Sequence, residues 1–268
     1  MRQFVCSQKP KKDGSVIITG KDYLYLSRSL RLRIGDVIDV SFADGALCAM
    51  QAQRITKKEV VLVPAAVTEN DDTRAKVQGV VAGKVQESLE GVPQYWLFQF
   101  LPKTQKMDQI VRQATECGVH TIVPVISEFT VRGSEPPRTE RWERIIKEAR
   151  QQSGSPVATR ILDGVSVTEA LELWNAHCQE GNRKPCGFVL HEDPEYGLKA
   201  LIEAADDHGG QKSVALAVGC EGGISPAELD ALYQAGFRNV HFATNILRAE
   251  TAAIYGLAVL QQLFAYKK

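Results

Sequence analysis

Residues 213–226 read SVALAVGCEGGISP. An apolar run of strand length passes through a glycine-bearing bend into Ser225–Pro226, residue types suited to the N-cap and first position of a helix. Gly222 and Gly223 are expected to take positive φ and to admit a ligand close to the backbone. A structural turn needs a glycine or two, but it does not need a carboxylate, Glu221, set among them. In open α/β sheets ligands bind beyond the carboxyl ends of the strands, which makes this bend the first candidate site.

The same grammar extends outward. Strand-like runs at 95–102 (YWLFQFLP), 120–127 (HTIVPVIS), 187–193 (GFVLHED) and 239–244 (NVHFAT) alternate with amphipathic stretches at 107–119, 138–154, 226–237 and 250–266. In the first of these helices Ile110, Val111 and Ala114 form the apolar stripe. Alternation of this kind predicts an α/β domain with a mainly parallel sheet. The first seventy residues differ. SVIITG (15–20), DVIDVSFADG (36–45) and EVVLVPAAV (59–67) read as short strands of a small barrel or sandwich. Between the first two, DYLYLSRSLRLRIGD (22–36) reads as a basic helix with Leu26, Leu30 and Ile34 on one stripe, ending near Gly35. The polar stretch TENDDTRAKVQG (68–79) reads as a linker, giving domains at 1–70 and 71–268.

The chain has 268 residues, 44% apolar and 24% charged, which excludes disordered, collagenous and disulfide-scaffold classes. Thirty-two basic residues balance thirty-two acidic ones. The balance hides a dipole, because residues 1–35 hold eight basic against two acidic residues, a net of +6. No apolar run approaches a membrane span and MRQFVCSQKPKK is no secretory signal, so a cytoplasmic protein with no membrane partner is expected. The six cysteines show no metal-ligand spacing, and no metal is expected. GVVAGK (79–84) is too short for a P-loop and no GxGxxG follows a strand.

Two further loops accompany the first, Leu190–Pro194 and Ala243–Ala253. In the last, Arg248 and Glu250 flank Ala249 at the mouth of an apolar helix; a helix-start salt bridge and a functional pair are both open readings.

In combination, VGCEGGIS and NILRAETAA resemble the two C-terminal motifs of the ribosomal RNA small-subunit methyltransferase E family. FLPKTQKMDQIVRQATECGVHTIVPVISEFTV, RWERIIKEARQQSG and SRSLRLRIGDVIDV are similar to that family's other blocks, in the same order, over nearly the whole chain. Cys220 and Ser155 depart from its pattern, at a usual proline and a usual basic residue, and Tyr23 and Tyr25 stand where a histidine is often found.

The resemblance implies a PUA-like N-terminal β-barrel and a C-terminal SPOUT domain with a deep trefoil knot, acting as a homodimer. It implies S-adenosylmethionine as cofactor and N3 of a uridine in 16S rRNA of the small ribosomal subunit as the methylated atom. The cofactor is then expected against Leu190 and His191 of the first loop and Val218, Gly219, Glu221, Gly222 and Gly223 of the second. From the third it would meet Ala243, Asn245, Ile246, Leu247, Thr251 and Ala252. Arg248 is assigned substrate orientation and anion stabilisation, because a guanidinium cannot serve as a base at neutral pH. Glu221 and Glu250 are the candidate proton acceptors, Glu221 with the competing role of holding the cofactor's ribose or amino group. Lys9, Lys11, Lys12, Arg28, Arg31 and Arg33, with Lys103 and Lys106, are expected to meet RNA phosphates. Tyr23 and Tyr25 read as base-stacking residues or, preferably, as barrel core. A SPOUT enzyme acting on a ribose 2′-hydroxyl and a noncatalytic RNA-binding assembly protein are the alternatives.

Overall fold

The structure, a computed structural model, describes residues 3–42, 46–65, 92–130, 139–207 and 212–265. The expected linker at 68–79 lies outside them. The chain divides into two compact units, Met1–Glu90 with Arg150–Ala158, and Gly91–Ala149 with Thr159–Lys268.

The first unit holds β1 (Gln3–Cys6), β2 (Val16–Thr19), β3 (Val37–Phe42), β4 (Leu47–Ile55) and β5 (Glu59–Pro64), in the sheet order β1-β3-β4-β5-β2. β1 pairs parallel to β3 and the other pairings are antiparallel. Its core gathers Phe4, Leu26, Val40, Ala52, Val60 and Leu62, all fully buried. Tyr23 and Tyr25 pack against this core, and the Tyr25 ring stacks on Phe4 with centroids 6.3 Å apart. Arg150 belongs to this unit because its buried guanidinium donates to Ser41 Oγ at 2.7 Å.

The basic helix is shorter than expected. Helix α1 (Gly20–Leu24) runs into a π-helical turn at Tyr25–Ser29 and stops there. The Leu32 amide donates to the Leu26 carbonyl at 3.0 Å across Arg31, whose φ is +52°. This is the helix-terminating geometry in which one residue turns left-handed, here without a glycine to announce it. The chain leaves the helical path after Leu30, so Ile34 is 66% exposed and Leu32 fills the core in its place.

The second unit is a six-stranded parallel sheet in the order β11-β9-β10-β6-β7-β8. Its strands are β6 (Gln94–Phe100), β7 (Thr121–Val125), β8 (Arg160–Ile161), β9 (Lys184–Leu190), β10 (Lys212–Val218) and β11 (Arg238–Val240). Its helices are α2 (Thr104–Glu116), α3 (Thr139–Ser153, whose last turn counts with the first unit), α4 (Val167–Glu180), α5 (Lys199–Asp206), α6 (Pro226–Gln234) and α7 (Ala249–Ala265). Every residue of β10 is buried, as a strand covered on both faces requires. Alternate residues serve opposite cores: Leu97, Val214 and Leu216 face the cluster with Ile110, Trp142 and Leu257, whereas Trp96, Phe98 and Ala215 face the cluster with Trp174 and Phe237. Arg141 and Trp142 of α3 both bond the Asp108 carboxylate of α2, Trp142 at 3.2 Å. Parallel pairing brings the carboxyl ends of β9, β10 and β11 side by side, with Val189 opposite Ala217 and Leu190 opposite Val240.

At the amino end of the sheet, Arg160 Nε donates to Thr121 Oγ1 at 3.0 Å, and the same hydroxyl lies 2.8 Å from His120 Nδ1 in a second hydrogen bond. Burial, together with the nearby Arg160 charge, pushes His120 down to about 4 from 6.5. The unfolded chain therefore takes up this proton first as pH falls. Stability present above pH 6.5 is expected to drain away toward pH 4, by up to roughly 3 kcal/mol. Urea unfolding at pH 7 and pH 4.5 checks this: His120→Gln should lose less stability over that interval than the native protein.

Candidate active site

A cavity of about 550 Å³ opens at the carboxyl ends of β9, β10 and β11. Three chain segments build it, at residues 189–192, 218–224 and 241–249, with Leu229, Ala252 and Lys106 contributing from helices. Of the residues expected against a cofactor, eleven border it: Leu190, His191, Val218, Gly219, Glu221, Gly222, Gly223, Asn245, Ile246, Leu247 and Ala252. Ala243 and Thr251 do not; both are exposed and lie outside the lining.

The central bend is fixed by its own backbone. The Gly223 amide donates to the Cys220 carbonyl at 3.0 Å, closing a tight turn, and Gly223 takes φ +81°. Gly222 does not share this positive φ, contrary to expectation. Its missing side chain answers a contact instead, since a Cβ there would lie 2.9 Å from Phe129 Cβ. Gly219 is constrained more severely: a Cβ would lie 2.9 Å from the carbonyl carbon of Gly223, and main chain cannot move aside. The helix that follows starts as the sequence indicates. Ser225 and Glu228 form a reciprocal capping box with Pro226 in the first turn, and Ser127 Oγ also donates to Glu228 at 3.0 Å. Cys220, the departure from the family pattern, is buried. Its thiol is pushed up by burial and reaches the carbonyls of Phe129 (3.7 Å) and Gly223 (3.6 Å).

Lys106 is placed differently from a phosphate-binding surface residue. Its Nζ lies 3.1 Å from Glu221 Oε1 and 3.3 Å from Glu250 Oε2, inside the cavity wall. The hydrogen bond to Glu221 holds the lysine above its ordinary range. Burial pushes Glu221 upward, but its own backbone amide, Lys106 and the Lys103 backbone outweigh it and hold the carboxyl below the usual carboxylate range. Glu250 sits in the first turn of α7, where the helix dipole favours a negative charge. Arg248 borders the cavity, exposed, and no partner of its guanidinium is recorded among the described residues.

His241 was not among the expected residues, although it ends the same strand-like run. Its Nδ1 lies 3.1 Å from the His191 carbonyl, which can only accept, so Nδ1 carries a proton and donates it there. The Asp193 amide donates to His191 Nδ1 at 3.1 Å, which places the opposite tautomer on His191. Cavity-lining positions such as Cys220, His241 and Lys106 carry no fingerprint of their own in the sequence; only the fold gathers them.

Lys9, Lys11, Lys12, Arg28, Arg31 and Arg33 are all exposed on the first unit, and Lys103 is exposed at the start of α2.

Comparison with known proteins adds independent findings. Residues 90–261 match the family model described as RNA methyltransferase domain. The chain is 34% identical over 159 residues to the ribosomal RNA small subunit methyltransferase E of Aquifex aeolicus, covering 58% of this chain and 62% of that protein. It is 25% identical over 249 residues to the protein of the same name from Bacillus subtilis, covering 91% and 88% of the two chains. The crystal structure of a ribosomal RNA small subunit methyltransferase E from Neisseria gonorrhoeae bound to S-adenosyl methionine superimposes with a TM-score of 0.72 at 22% identity, covering 98% of each chain. The strand-end cavity and the match across most of the second unit lead to one assignment: this chain belongs to the RNA methyltransferase domain family.

Proposed function

We propose that the protein is an S-adenosylmethionine-dependent methyltransferase that methylates N3 of a uridine in 16S rRNA of the small ribosomal subunit. The observation that carries this reading is the cavity at the ends of β9, β10 and β11, walled by the glycine bend and bordered by Arg248, whose guanidinium has no partner among the described residues. In this reading the first unit is a PUA-like barrel and the second a SPOUT domain whose loops form a deep trefoil knot, a rare exception to the rule against knots. The working form is a cytoplasmic homodimer. Names borne by the relatives, and the cofactor in the superimposed structure, support the substrate and donor.

The residues present fit the cofactor. The volume is that of a small-molecule site, and a Cβ on Gly223 would meet no protein atom within 4 Å, so bare backbone borders open space there. Leu190, Val218, Ile246 and Leu247 supply apolar walls for a purine, and main-chain groups of the three loops its polar edge. When bound, the cofactor supplies an electrophilic methyl group on a sulfonium. Positioning of the nucleophile in line with it is the loops' main contribution.

Deprotonation of N3 is the harder requirement, since a uracil imide is weakly acidic at neutral pH. Glu221, held below the ordinary carboxylate range by Lys106 and backbone donors, is a poor base and is assigned to the cofactor's hydroxyl or amino groups. Arg248 offers a planar fork to the uracil carbonyl oxygens and stabilises the imidate as its charge develops, and the N3 proton passes to solvent water. The exposed cations of the first unit neutralise phosphates without reading sequence.

The deciding experiment is mass mapping of methylated nucleosides in 16S rRNA from a deletion strain. Loss of one 3-methyluridine is expected; loss of a 2′-O-methyl nucleoside would overturn the assigned atom, and an unchanged map with no binding of S-adenosylhomocysteine would point to a noncatalytic protein. Arg248→Ala is expected to lower kcat about 100-fold while the Kd for S-adenosylhomocysteine stays within about threefold, read by methylation kinetics and calorimetry. Gly219→Ala should raise that Kd at least about tenfold, because the added methyl group forces the bend to open. Replacing Arg31 and Arg33 together by alanine should reduce the slope of log K for RNA against log salt by about 1.5, measured by filter binding across a salt series.

A further inference from the structure

Lys106 stands on α2, outside the three segments that border the cavity, yet its ammonium lies between a carboxylate of the central bend and one at the start of α7. Nζ is 3.1 Å from Glu221, on the bend after β10, and 3.3 Å from Glu250 Oε2, in the first turn of α7, an ion pair without hydrogen-bond geometry. Glu250 is 13% exposed and Lys106 27%, so these charges interact in a partly desolvated setting. Two carboxylates share one ammonium, leaving one negative charge over. Arg248 lies two residues before Glu250 and borders the same cavity, and its side chain has no recorded partner among the described residues. A guanidinium beside unengaged carboxylates forms a bidentate pair with them, stronger and geometrically tighter than a lysine contact. With Arg248 unpartnered among the described residues, the two carboxylates are held at Lys106 instead.

We propose that Lys106 is a positioning residue that engages Glu221 and Glu250 together and thereby leaves the Arg248 guanidinium free for the carbonyl oxygens of the substrate base. This rests on the functional reading above. The raised lysine keeps its charge through the neutral range, so the engagement persists wherever the enzyme works. The other polar side chains bordering the cavity include Glu192, His191 and His241; the imidazole Nδ1 atoms of the last two are occupied by backbone contacts of the 191–193 segment. With two carboxylates at its ammonium, Lys106 is assigned to positioning rather than to the RNA phosphates expected of it from the sequence.

The test uses the full-length protein with small ribosomal subunits from the deletion strain as substrate and S-adenosylhomocysteine as the binding probe. Lys106→Gln should lower kcat at least about tenfold, with the Kd for S-adenosylhomocysteine within about threefold of native. Lys106→Arg should restore most of the loss. Lys106→Gln combined with Glu250→Gln should recover at least about threefold over the single variant, because the carboxylate two residues from Arg248 is gone and only Glu221 is left to compete for the guanidinium; a role confined to fold support would show no such recovery. Native kcat in Lys106→Gln, or a double variant no better than the single, overturns the proposal. If Lys106→Gln does not fold, Lys106→Met takes its place in the same comparisons. A native protein that neither binds the probe nor methylates subunits would instead overturn the functional reading on which the proposal stands.

Discussion

Burial of β10 between β9 and β6 is the constraint on which the second unit depends. All seven residues of the strand are buried, so both faces pack against cores, apolar from Val214 to Val218, and the backbone pairs with strands on either side. Such a strand cannot end gradually. Its last carbonyls, at Val218 and Gly219, receive the buried Gln99 side-chain amide at 3.3 and 3.5 Å, and the chain then turns through a bend whose closest approach is backbone to backbone at Gly219 and Gly223. The cavity follows from this: a bend without side chains, flanked by the ends of two parallel neighbours, leaves a concave space that no core residue fills.

The electrostatics of the site are built on that frame. One ammonium from α2 faces two carboxylates brought from separate loops, and the guanidinium next to them in sequence is left unmatched. Segregation of this kind assigns different work to groups of opposite sign. Glu221 is held below the usual carboxylate range beside Lys106, whereas in the proposed function the Arg248 guanidinium meets the negative charge that develops on a bound base. Pairing within the site is thus a means of keeping one donor available, more than a source of stability, because partly exposed ion pairs contribute little net free energy.

Legibility from sequence tracked how local the cause was. Apolar runs and capping residues specify β6, β7, β9, β10, α2, α6 and α7 because strand pairing partners are interchangeable at that level and caps act within four residues. Helix α4 was legible too, through the Ser166 and Glu169 capping box and the buried Ala170, Leu171, Trp174 and Cys178, yet it is absent from the elements expected above. The basic helix was over-read because its end depends on Arg31 adopting a left-handed conformation, which composition does not announce. β1 escaped notice because four residues, QFVC, become a strand only by pairing with β3 more than thirty positions away.

The alternation of strands and helices in the second unit, the glycine bend with its helix start and the basic character of the first thirty-five residues were determined by the chain alone, since each arises from residues adjacent in sequence. Which of those residues share a cavity was decided by the tertiary structure. Sheet order places β9, β10 and β11 side by side, and α2 delivers Lys106 to two carboxylates more than a hundred residues further along. The physical reason is range: propensity, periodicity and capping act over a few residues, whereas charge pairing and cavity shape depend on distances through space that only the packed sheet sets.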